Sequence, residues 1–450
     1  MLLALDALRL EGTRSREQAL ADLGALPGRT ARALGRSLVG LLHAIARSGA
    51  VRWTVLTLEH SADAAHRMPL RWKVAVYTLA LTPLVVSFEL RSGFLEAHLF
   101  SALASRLQWT VGQGPSPSIV YPQSGPFDEE RGYSRIPEFV RNLSRRGYRI
   151  GEQARFSGTL AMLARAGLTP PWREPPTDGL VIRDASGDTL FRGSSRRDLL
   201  TSYDELPPLV VSTLLYIENR GLISDPEPTS NPAVDWARFA KASGLWAGRR
   251  IGLPLPVEGG STLAVQLEKL RHFSGGRTRS PADKLRQIAA ASLRAYRLGP
   301  DTRSARREII LGYLNSAPLA ATPSHGEVNG LGEGLRYWFD RDPHRTLLTI
   351  ARPGSIERQA RAYRAVLALV CALRAPTEYL IEDRPALEKR MAFYTDRLEE
   401  SGVLPRELAA AVRNAPLALE PDQRTRTPHW FRSDKSTDAV RGEVAQLLGV

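Results

Sequence analysis

Residues 259–269 read GGSTLAVQLEK, and this stretch decides how the rest of the sequence is interpreted. The two glycines give the backbone freedom just before a helix that Ser261 or Thr262 can cap. Free N–H groups at the start of a helix suit a phosphate. Gln266 and Lys269 are three residues apart and therefore share one helix face. By itself, the stretch predicts a capped helix with a polar, cationic face.

Four other segments carry polar residues that could work with this face. They are IENR at 217–220, DKLRQ at 283–287, REIILGYLN at 307–315 and GLGEGLRYWF at 330–339. Lys284 and Gln287 also lie three residues apart, on one face of a second predicted helix. Glu218 ends an apolar helical run, and a Glu near cations can act as a general base. Taken singly, each segment fits an ordinary loop or a solvated helix face better than a functional site.

In this order and spacing, the five segments resemble the motifs of glycosyltransferase family 51. This family is the peptidoglycan glycosyltransferase domain of class A penicillin-binding proteins and monofunctional transglycosylases. Glu218 and Arg220 match its first motif, Tyr-Leu-Asn at 313–315 matches its fourth, and the resemblance covers about residues 180–420. The second motif of the family matches at Gly259, Gly260, Ser261, Thr262, Gln266, Leu267 and Lys269.

The resemblance implies a mainly α (α+β) fold: a lysozyme-like glycosyltransferase domain with a small β-hairpin at its beginning and an N-terminal membrane helix. It implies polymerisation of lipid II into glycan strands by inverting transfer from an undecaprenyl-pyrophosphate-linked disaccharide. Glu218 carries over as the general base, and Gln287 stands at the second catalytic position. The substrate-binding residues that carry over are Arg220, Gly260, Ser261, Thr262, Gln266, Lys269, Lys284 and Asn315.

The resemblance also implies cofactors and partners. A divalent metal, Mg²⁺ or Mn²⁺, is expected with the substrate pyrophosphate. No organic cofactor and no protein metal ligand are expected. The expected partners are lipid II, the growing glycan strand, the membrane and proteins of cell-wall synthesis.

Departures from the family pattern bear on whether the domain turns over. The second essential Glu of the family is Gln287 here, and a neutral amide binds metal less strongly than a carboxylate. The Glu of the fourth motif is Leu311, and the Arg of the third motif is Asp283. Two functions stay open. One is an active, divergent polymerase in which Asp283 or Glu308 replaces the lost carboxylate. The other is a catalytically degenerate relative that binds lipid II or scaffolds the cell-wall synthesis machinery.

The composition of the 450-residue chain excludes several classes of protein. Hydrophobic residues make up 43%, which is enough for a real core and excludes wholesale disorder. The single cysteine, Cys371, excludes an internal disulfide framework and is expected in the core. A net charge of +14 favours an anionic partner: nucleic acid, anionic lipid or a phosphorylated substrate. No helix-turn-helix, RNA-recognition or zinc-finger pattern appears, so nucleic acid is not expected.

An uncharged run, VAVYTLALTPLVVSF, occupies residues 74–88. As a helix it extends roughly 22 Å, less than the ~30 Å hydrocarbon core, but Arg71 and Lys73 can lengthen the span by snorkelling. The alternative is a buried core helix. The basic flank predicts a single-pass protein of the inner (cytoplasmic) membrane, with the catalytic domain on the periplasmic or extracellular side.

The same patterns predict the domain organisation. The regions are an N-terminal helical cytoplasmic region at 1–66, the membrane anchor at 67–98, a linker or pedestal at 99–178, the glycosyltransferase family 51-like domain at 179–420 and a C-terminal tail at 421–450. Locally, 180–192 reads as a hairpin and 136–163 has helical periodicity. A loop is predicted near 318–328, and His272 is predicted to be a surface side chain.

Overall fold

A computed structural model describes residues 82, 85–122, 125–171, 180–183, 185–193, 198–218, 222, 227–236, 241, 245, 249, 261–322, 325–419 and 435–450. The chain divides into two compact units, Met1–Ser92 and Gly93–Val450. In the first unit, residues 85–92 are helical. The remaining description concerns the second unit.

The described part of the second unit is mainly helical, with three two-stranded antiparallel sheets that pair β1 with β2, β3 with β4 and β5 with β6. Its elements in chain order are α1 (Phe94–Ala104), β1 (Trp109–Gln113), α2 (Pro126–Glu130), α3 (Ile136–Arg145), β2 (Glu152–Phe156), α4 (Gly158–Arg165), β3 (Leu180–Arg183), β4 (Thr189–Gly193), α5 (Pro208–Glu218), α6 (Leu263–His272), α7 (Pro281–Ala295), α8 (Arg303–Ser316), β5 (Pro318–Thr322), β6 (Gly326–Asn329), α9 (Gly330–Phe339), α10 (Pro343–Ala351), α11 (Ile356–Ala372), α12 (Arg384–Glu400), α13 (Arg406–Asn414) and α14 (Lys435–Leu448). Short 3-10 turns lie at Tyr133–Arg135, Tyr203–Glu205 and Ser274–Gly276, and a π-helical turn lies at Glu378–Glu382.

Helix α11 lies at the centre of the main hydrophobic core, and residues 365–372 along it are all buried. Several are alanines, which let α5, α9, α10, α12 and α13 pack closely around it. The hydroxyl of Tyr363 pairs with that of Thr213 at 2.7 Å, so the polar atoms of these two buried residues are satisfied. Cys371 is fully buried, as predicted, and burial raises the pKa of its thiol to about 12.

The predicted hairpin near residue 180 is confirmed. Strands β3 and β4 pair antiparallel, with Val181 opposite Arg192. The turn between them contains Gly187 at φ 92°, a backbone conformation that favours glycine. The hairpin precedes α5, the helix that ends at Glu218.

Two local predictions are wrong because the strand partners involved are not visible in a local pattern. The predicted loop at 318–328 is a hairpin of β5 and β6, and its Leu319 and Val328 are buried in the core. The helical period predicted over 136–163 is interrupted by β2, which pairs with β1. The non-local pairing overrides the local helical signal there.

No described helix is long and apolar enough to cross a membrane. Of the anchor predicted at 67–98, the structure describes residues 82 and 85–98. The rest of that segment, and the cytoplasmic region predicted at 1–66, lie outside the described residues. Both therefore stay predictions.

Helix α14 packs against α3, a helix that ends more than seventy residues before the first motif residue, Glu218. The side-chain amide of Asn142 donates to the carbonyl of Leu448 at 2.8 Å. The guanidinium of Arg146 donates to the carbonyl of Gln446 at 2.9 Å. These bonds satisfy carbonyls at the end of α14 that have no partner within the helix.

Candidate active site

Helix α6 begins where the sequence predicts a cap. The hydroxyl of Thr262 accepts a hydrogen bond from the backbone N–H of Val265 at 3.4 Å and donates one to the carbonyl of Ala233 at 3.1 Å. Thr262 is buried, and these two bonds fix the point at which α6 starts. Its predicted contact with substrate stays a prediction.

Lys269 and Lys284 bring the positive charges of α6 and α7 close together. The ammonium of Lys284 donates a hydrogen bond to the hydroxyl of Ser261 at 2.6 Å. Burial, and then the positive charge of Lys269, lower the pKa of Lys284 to about 8. Burial also lowers the pKa of Lys269. Because a pKa of about 8 leaves the Lys284 ammonium charged at pH 7, the pair presents two partly desolvated cations, and an anion bound there would relieve their repulsion.

Gln287 lies one turn after Lys284 on α7, and its side chain is completely buried. Its Oε1 accepts a hydrogen bond from the hydroxyl of Thr278 at 3.0 Å. Its Nε2 has no hydrogen-bond partner in the described part of the chain. A buried donor without a partner is unfavourable, so this amide is suited to a ligand that brings an acceptor.

Glu218, at the end of α5, is electrostatically coupled to two buried residues of neighbouring helices. Burial, together with the negative charge of Glu218, raises the pKa of Tyr313 on α8. The same charge contributes to the raised pKa of Cys371 on α11. The neutral Tyr313 hydroxyl donates a hydrogen bond to Oε1 of Gln266 at 3.2 Å. The structure thus connects Glu218, Tyr313 and Gln266, which come from the first, fourth and second motifs.

Asn315 has a structural contact on both sides of its amide. Its Oδ1 accepts from the backbone N–H of Leu200 at 3.1 Å, and its Nδ2 donates to the carbonyl of Leu200 at 2.8 Å. The side chain is buried and attaches the end of α8 to the segment before α5. The structure does not bring Asn315 into contact with the lysine pair, and its substrate-binding role stays a prediction.

The two carboxylates considered as replacements for the lost Glu are engaged elsewhere. Asp283 forms a capping box with Ser280 at the start of α7, and one of its oxygens accepts from the backbone N–H of Arg279 and of Ser280, each at 3.1 Å. Glu308 is about half exposed and lies 3.8 Å from a nitrogen of Arg297. Neither carboxylate contacts Lys269 or Gln287 in the described contacts.

Two predicted site residues, Arg220 and Gly260, lie outside the described residues, as does Gly259. The divalent metal was tested against the donors that are described. No group of three His, Cys, Asp or Glu side chains among them could hold a metal ion. Gln287, one turn from Lys284 on α7, offers a neutral amide where a carboxylate would bind a divalent cation more strongly. The described side chains therefore do not fit a protein-held Mg²⁺ or Mn²⁺.

Reasoning from the sequence missed several contacts. Thr278 gives no motif signal, whereas Tyr313 is part of the intact Tyr-Leu-Asn motif and could have been assigned from it. The prediction of a surface His272 is wrong. The side chain is buried, and its Nδ1 lies 3.0 Å from Oδ1 of Asp128, a residue 144 positions away. A partner so distant in sequence leaves no local signal.

With this geometry in place, comparison with known proteins identifies the class. Residues 186–399 match a family model described as Transglycosylase. This stretch, a little under half of the chain, belongs to that family, the peptidoglycan transglycosylase domain of glycosyltransferase family 51, and the resemblance in the motifs is confirmed. The mainly helical fold with small two-stranded sheets fits a lysozyme-like transglycosylase. Among curated proteins, none matches the chain.

Proposed function

We propose that this protein is a peptidoglycan glycosyltransferase that polymerises lipid II into glycan strands. The family match supports glycosyl transfer in cell-wall synthesis as the general activity. The single observation that carries the finer proposal is the pair of Lys269 and Lys284. Two partly desolvated ammonium groups, one of them with its pKa lowered to about 8, favour a ligand with more than one negative charge. The pyrophosphate of a lipid-linked donor is such a ligand.

In the proposed reaction, the 4-hydroxyl of the acceptor sugar attacks the anomeric carbon of the donor. Glu218 takes the hydroxyl proton as the new C–O bond forms, and the bond between the anomeric carbon and the pyrophosphate oxygen breaks with inversion. Lys269 and Lys284 stabilise the negative charge that develops on the departing pyrophosphate. Tyr313 acts as a positioning residue, because its neutral hydroxyl orients Gln266 through the 3.2 Å hydrogen bond.

The second candidate is a degenerate relative that binds lipid II or scaffolds the cell-wall synthesis machinery. The specific observation that favours it is Gln287, a buried amide where the family has a carboxylate. Because Asp283 caps α7 and Glu308 lies beside Arg297, the described contacts offer no second carboxylate at this place. Such a site could bind a pyrophosphate without supporting fast transfer.

The cellular setting is part of the proposal. We place the protein in the inner (cytoplasmic) membrane as a single-pass protein, with the catalytic domain on the periplasmic or extracellular side, in contact with other cell-wall synthesis proteins. The support is the uncharged run at 74–88 with its basic flank. Mg²⁺ or Mn²⁺ accompanying the substrate pyrophosphate stays a proposal, and the reaction above uses the residues of the chain alone.

The test is polymerisation of lipid II by the detergent-purified full chain, with Glu218→Gln and the matched control Glu308→Gln. Binding of lipid II is measured separately for each. We expect glycan strands from the wild type and from Glu308→Gln, and none from Glu218→Gln. Binding without strands from any variant contradicts the polymerase and supports the degenerate relative. Absence of binding contradicts the polymerase and a degenerate relative that binds lipid II, and is compatible only with a scaffold.

A further inference from the structure

A cavity of about 140 Å³ lies between α6, α7 and α8, on the face of α6 opposite the lysine pair. A helix turns 100° per residue, so residues 264, 267, 268 and 271 share one face, and 266 and 269 point the other way. The cavity is lined from α6 by the first group, Ala264, Leu267, Glu268 and Arg271. Lys269, Lys284 and Gln266 are not among its lining residues, whereas Asn315, predicted from the sequence to bind substrate, is one of them. The cavity is therefore distinct from the lysine pair of the proposed active site.

The charged lining of this cavity is predominantly positive. Four arginines and two glutamates line it: Arg131, Arg271, Arg294, Arg297, Glu268 and Glu308. The side chains of Glu308 and Arg297 are partly exposed, so this pair lies where the cavity is accessible to solvent. We call it the arginine cavity. An excess of guanidinium groups around a partly open cavity favours an anion.

Glu268 supplies the acceptor of the cavity. Its carboxylate is almost completely buried, and Nε of Arg294 donates to its Oε1 at 2.5 Å. Burial opposes ionisation, but the positive charges of Arg294, His272 and Arg271 outweigh it and lower the pKa of Glu268. Its second oxygen, Oε2, has no hydrogen-bond partner within the described residues. A buried carboxylate oxygen in this state is stabilised by a ligand that brings an O–H or N–H donor.

The guanidinium groups of Arg131 and Arg271 are held in place by one aromatic ring. Their central carbons lie 4.6 and 5.0 Å from the centroid of the Phe127 ring. Arg271 also donates to the hydroxyl of Ser316 at 3.2 and 3.3 Å. A side chain at Gly312 would come within 3.1 Å of Arg271, so this glycine makes room for the guanidinium.

We propose that the arginine cavity binds a small oxyanion of the phosphate class that still carries a proton. Its oxygens accept hydrogen bonds from the guanidinium groups, and its O–H donates to Oε2 of Glu268. A volume of about 140 Å³ is enough for several water molecules, and therefore for inorganic phosphate or the head of a phosphomonoester. The site is distinct from the pyrophosphate site of the proposed function.

The experiment is calorimetric titration of the full chain at pH 7 with inorganic phosphate and with sulfate. The two ions have similar shape, but sulfate has no proton to donate at this pH. A variant carrying Lys269→Met and Lys284→Met is titrated in parallel, so that binding at the lysine pair is recognised. The expected result is phosphate binding that persists in this variant and is about tenfold tighter than sulfate binding, since a hydrogen bond to a charged group is lost with sulfate.

Two further variants locate the site. Gly312→Ala crowds Arg271 while placing a better helix former in α8, so we expect a folded protein whose phosphate binding is weaker by about tenfold. Glu268→Gln keeps the shape of the side chain and is expected to abolish the preference for phosphate over sulfate. Arg303→Gln, an exposed site outside the cavity, is the matched control and should change neither.

Three results would overturn the proposal: no phosphate binding, equal binding of the two ions by the wild type, or loss of binding only in the lysine variant. A phosphate affinity that neither Gly312→Ala nor Glu268→Gln changes would do the same. Each variant is first compared with the wild type by circular dichroism. Because polymerisation of lipid II is assayed independently, failure of this proposal and failure of the proposed function are distinguishable.

Discussion

The two faces of α6 deal with buried charge in opposite ways. One face of α6 carries Lys269, and Lys284 of α7 lies near it. The ammonium of Lys284 donates a hydrogen bond to a neutral hydroxyl, and its pKa falls to about 8. On the other face, Glu268 is paired with Arg294 and stays ionised at low pKa. The first arrangement keeps positive charge ready for a ligand that arrives from outside. The second pairs the charge of Glu268 with that of Arg294 within the fold. It leaves Oε2 of Glu268 without a hydrogen-bond partner among the described residues, in a cavity lined by arginines.

The largest expected effect comes from breaking the buried ion pair of Glu268 and Arg294. Arg294→Met leaves Glu268 buried without its partner, and we expect a loss of about 3–5 kcal/mol in the free energy of unfolding. Chemical denaturation measures this loss. The matched control is Arg413→Met, which breaks an exposed pair with Asp396 and should cost about 1 kcal/mol or less. Equal losses in the two variants would contradict the buried pair.

The second effect concerns the lysine pair, Lys269 and Lys284. Lys284→Met removes one of the two cations proposed to stabilise the leaving group, so we expect polymerisation of lipid II to slow by about 10²–10³-fold. Stability should change little, since the buried ammonium is itself unfavourable. Rates of strand formation measure the effect, with Lys241→Met, an exposed lysine, as the control. A rate that stays near wild type would exclude the lysine pair from the reaction.

A carboxylate introduced on the lysine face should make the two faces more alike. Gln287→Glu places a negative charge one helical turn from Lys284, and we expect the pKa of Lys284 to rise from about 8 by one unit or more. An NMR titration of the lysine side chains measures the shift. Gln266→Glu, on the same face of α6 as Lys269, tests whether a carboxylate on α6 has the same effect as one on α7. A pKa that is unchanged or lower in Gln287→Glu would show that the two side chains do not interact.

The last effect concerns the dependence of stability on pH. The folded-state pKa of Lys284, about 8, lies below the ordinary value of 10.5, so the unfolded chain binds more protons between these two values. Stability should therefore rise with pH from about 8 to 10.5 through this group, and the contribution should be absent in Lys284→Met. Denaturation midpoints across this range, compared for the two proteins, measure it. Identical pH profiles would mean that Lys284 is not desolvated.

What the sequence predicts well here is what neighbouring residues determine. The Thr262 cap, the hairpin at β3 and β4 and the shared face of Gln266 and Lys269 each depend on a few consecutive residues. The five motifs add the family and the fold, because their spacing is a pattern of the whole domain.

Contacts between distant segments could not be predicted. Glu268 looks like an ordinary charged position on a helix, and its burial becomes understandable only with Arg294, 26 residues later. His272 is buried because Asp128 comes from a segment outside the motifs. The contacts of Asp283 and Glu308, by contrast, are with residues close in sequence: Asp283 caps α7 with Ser280, and Glu308 lies near Arg297. They were missed because the family pattern does not contain them.

The contact between α14 and α3 has a consequence for how the chain assembles. Its two hydrogen bonds join residues 300 and 306 positions apart, so they close a loop that contains the whole transglycosylase match. Closing a loop of this length has a high entropic cost, and the few polar contacts found at this seam return little of it. We therefore expect α14 to dock after the domain has folded and to release first on heating. Amide exchange in residues 440–448 should then be faster than in α11, the centre of the core.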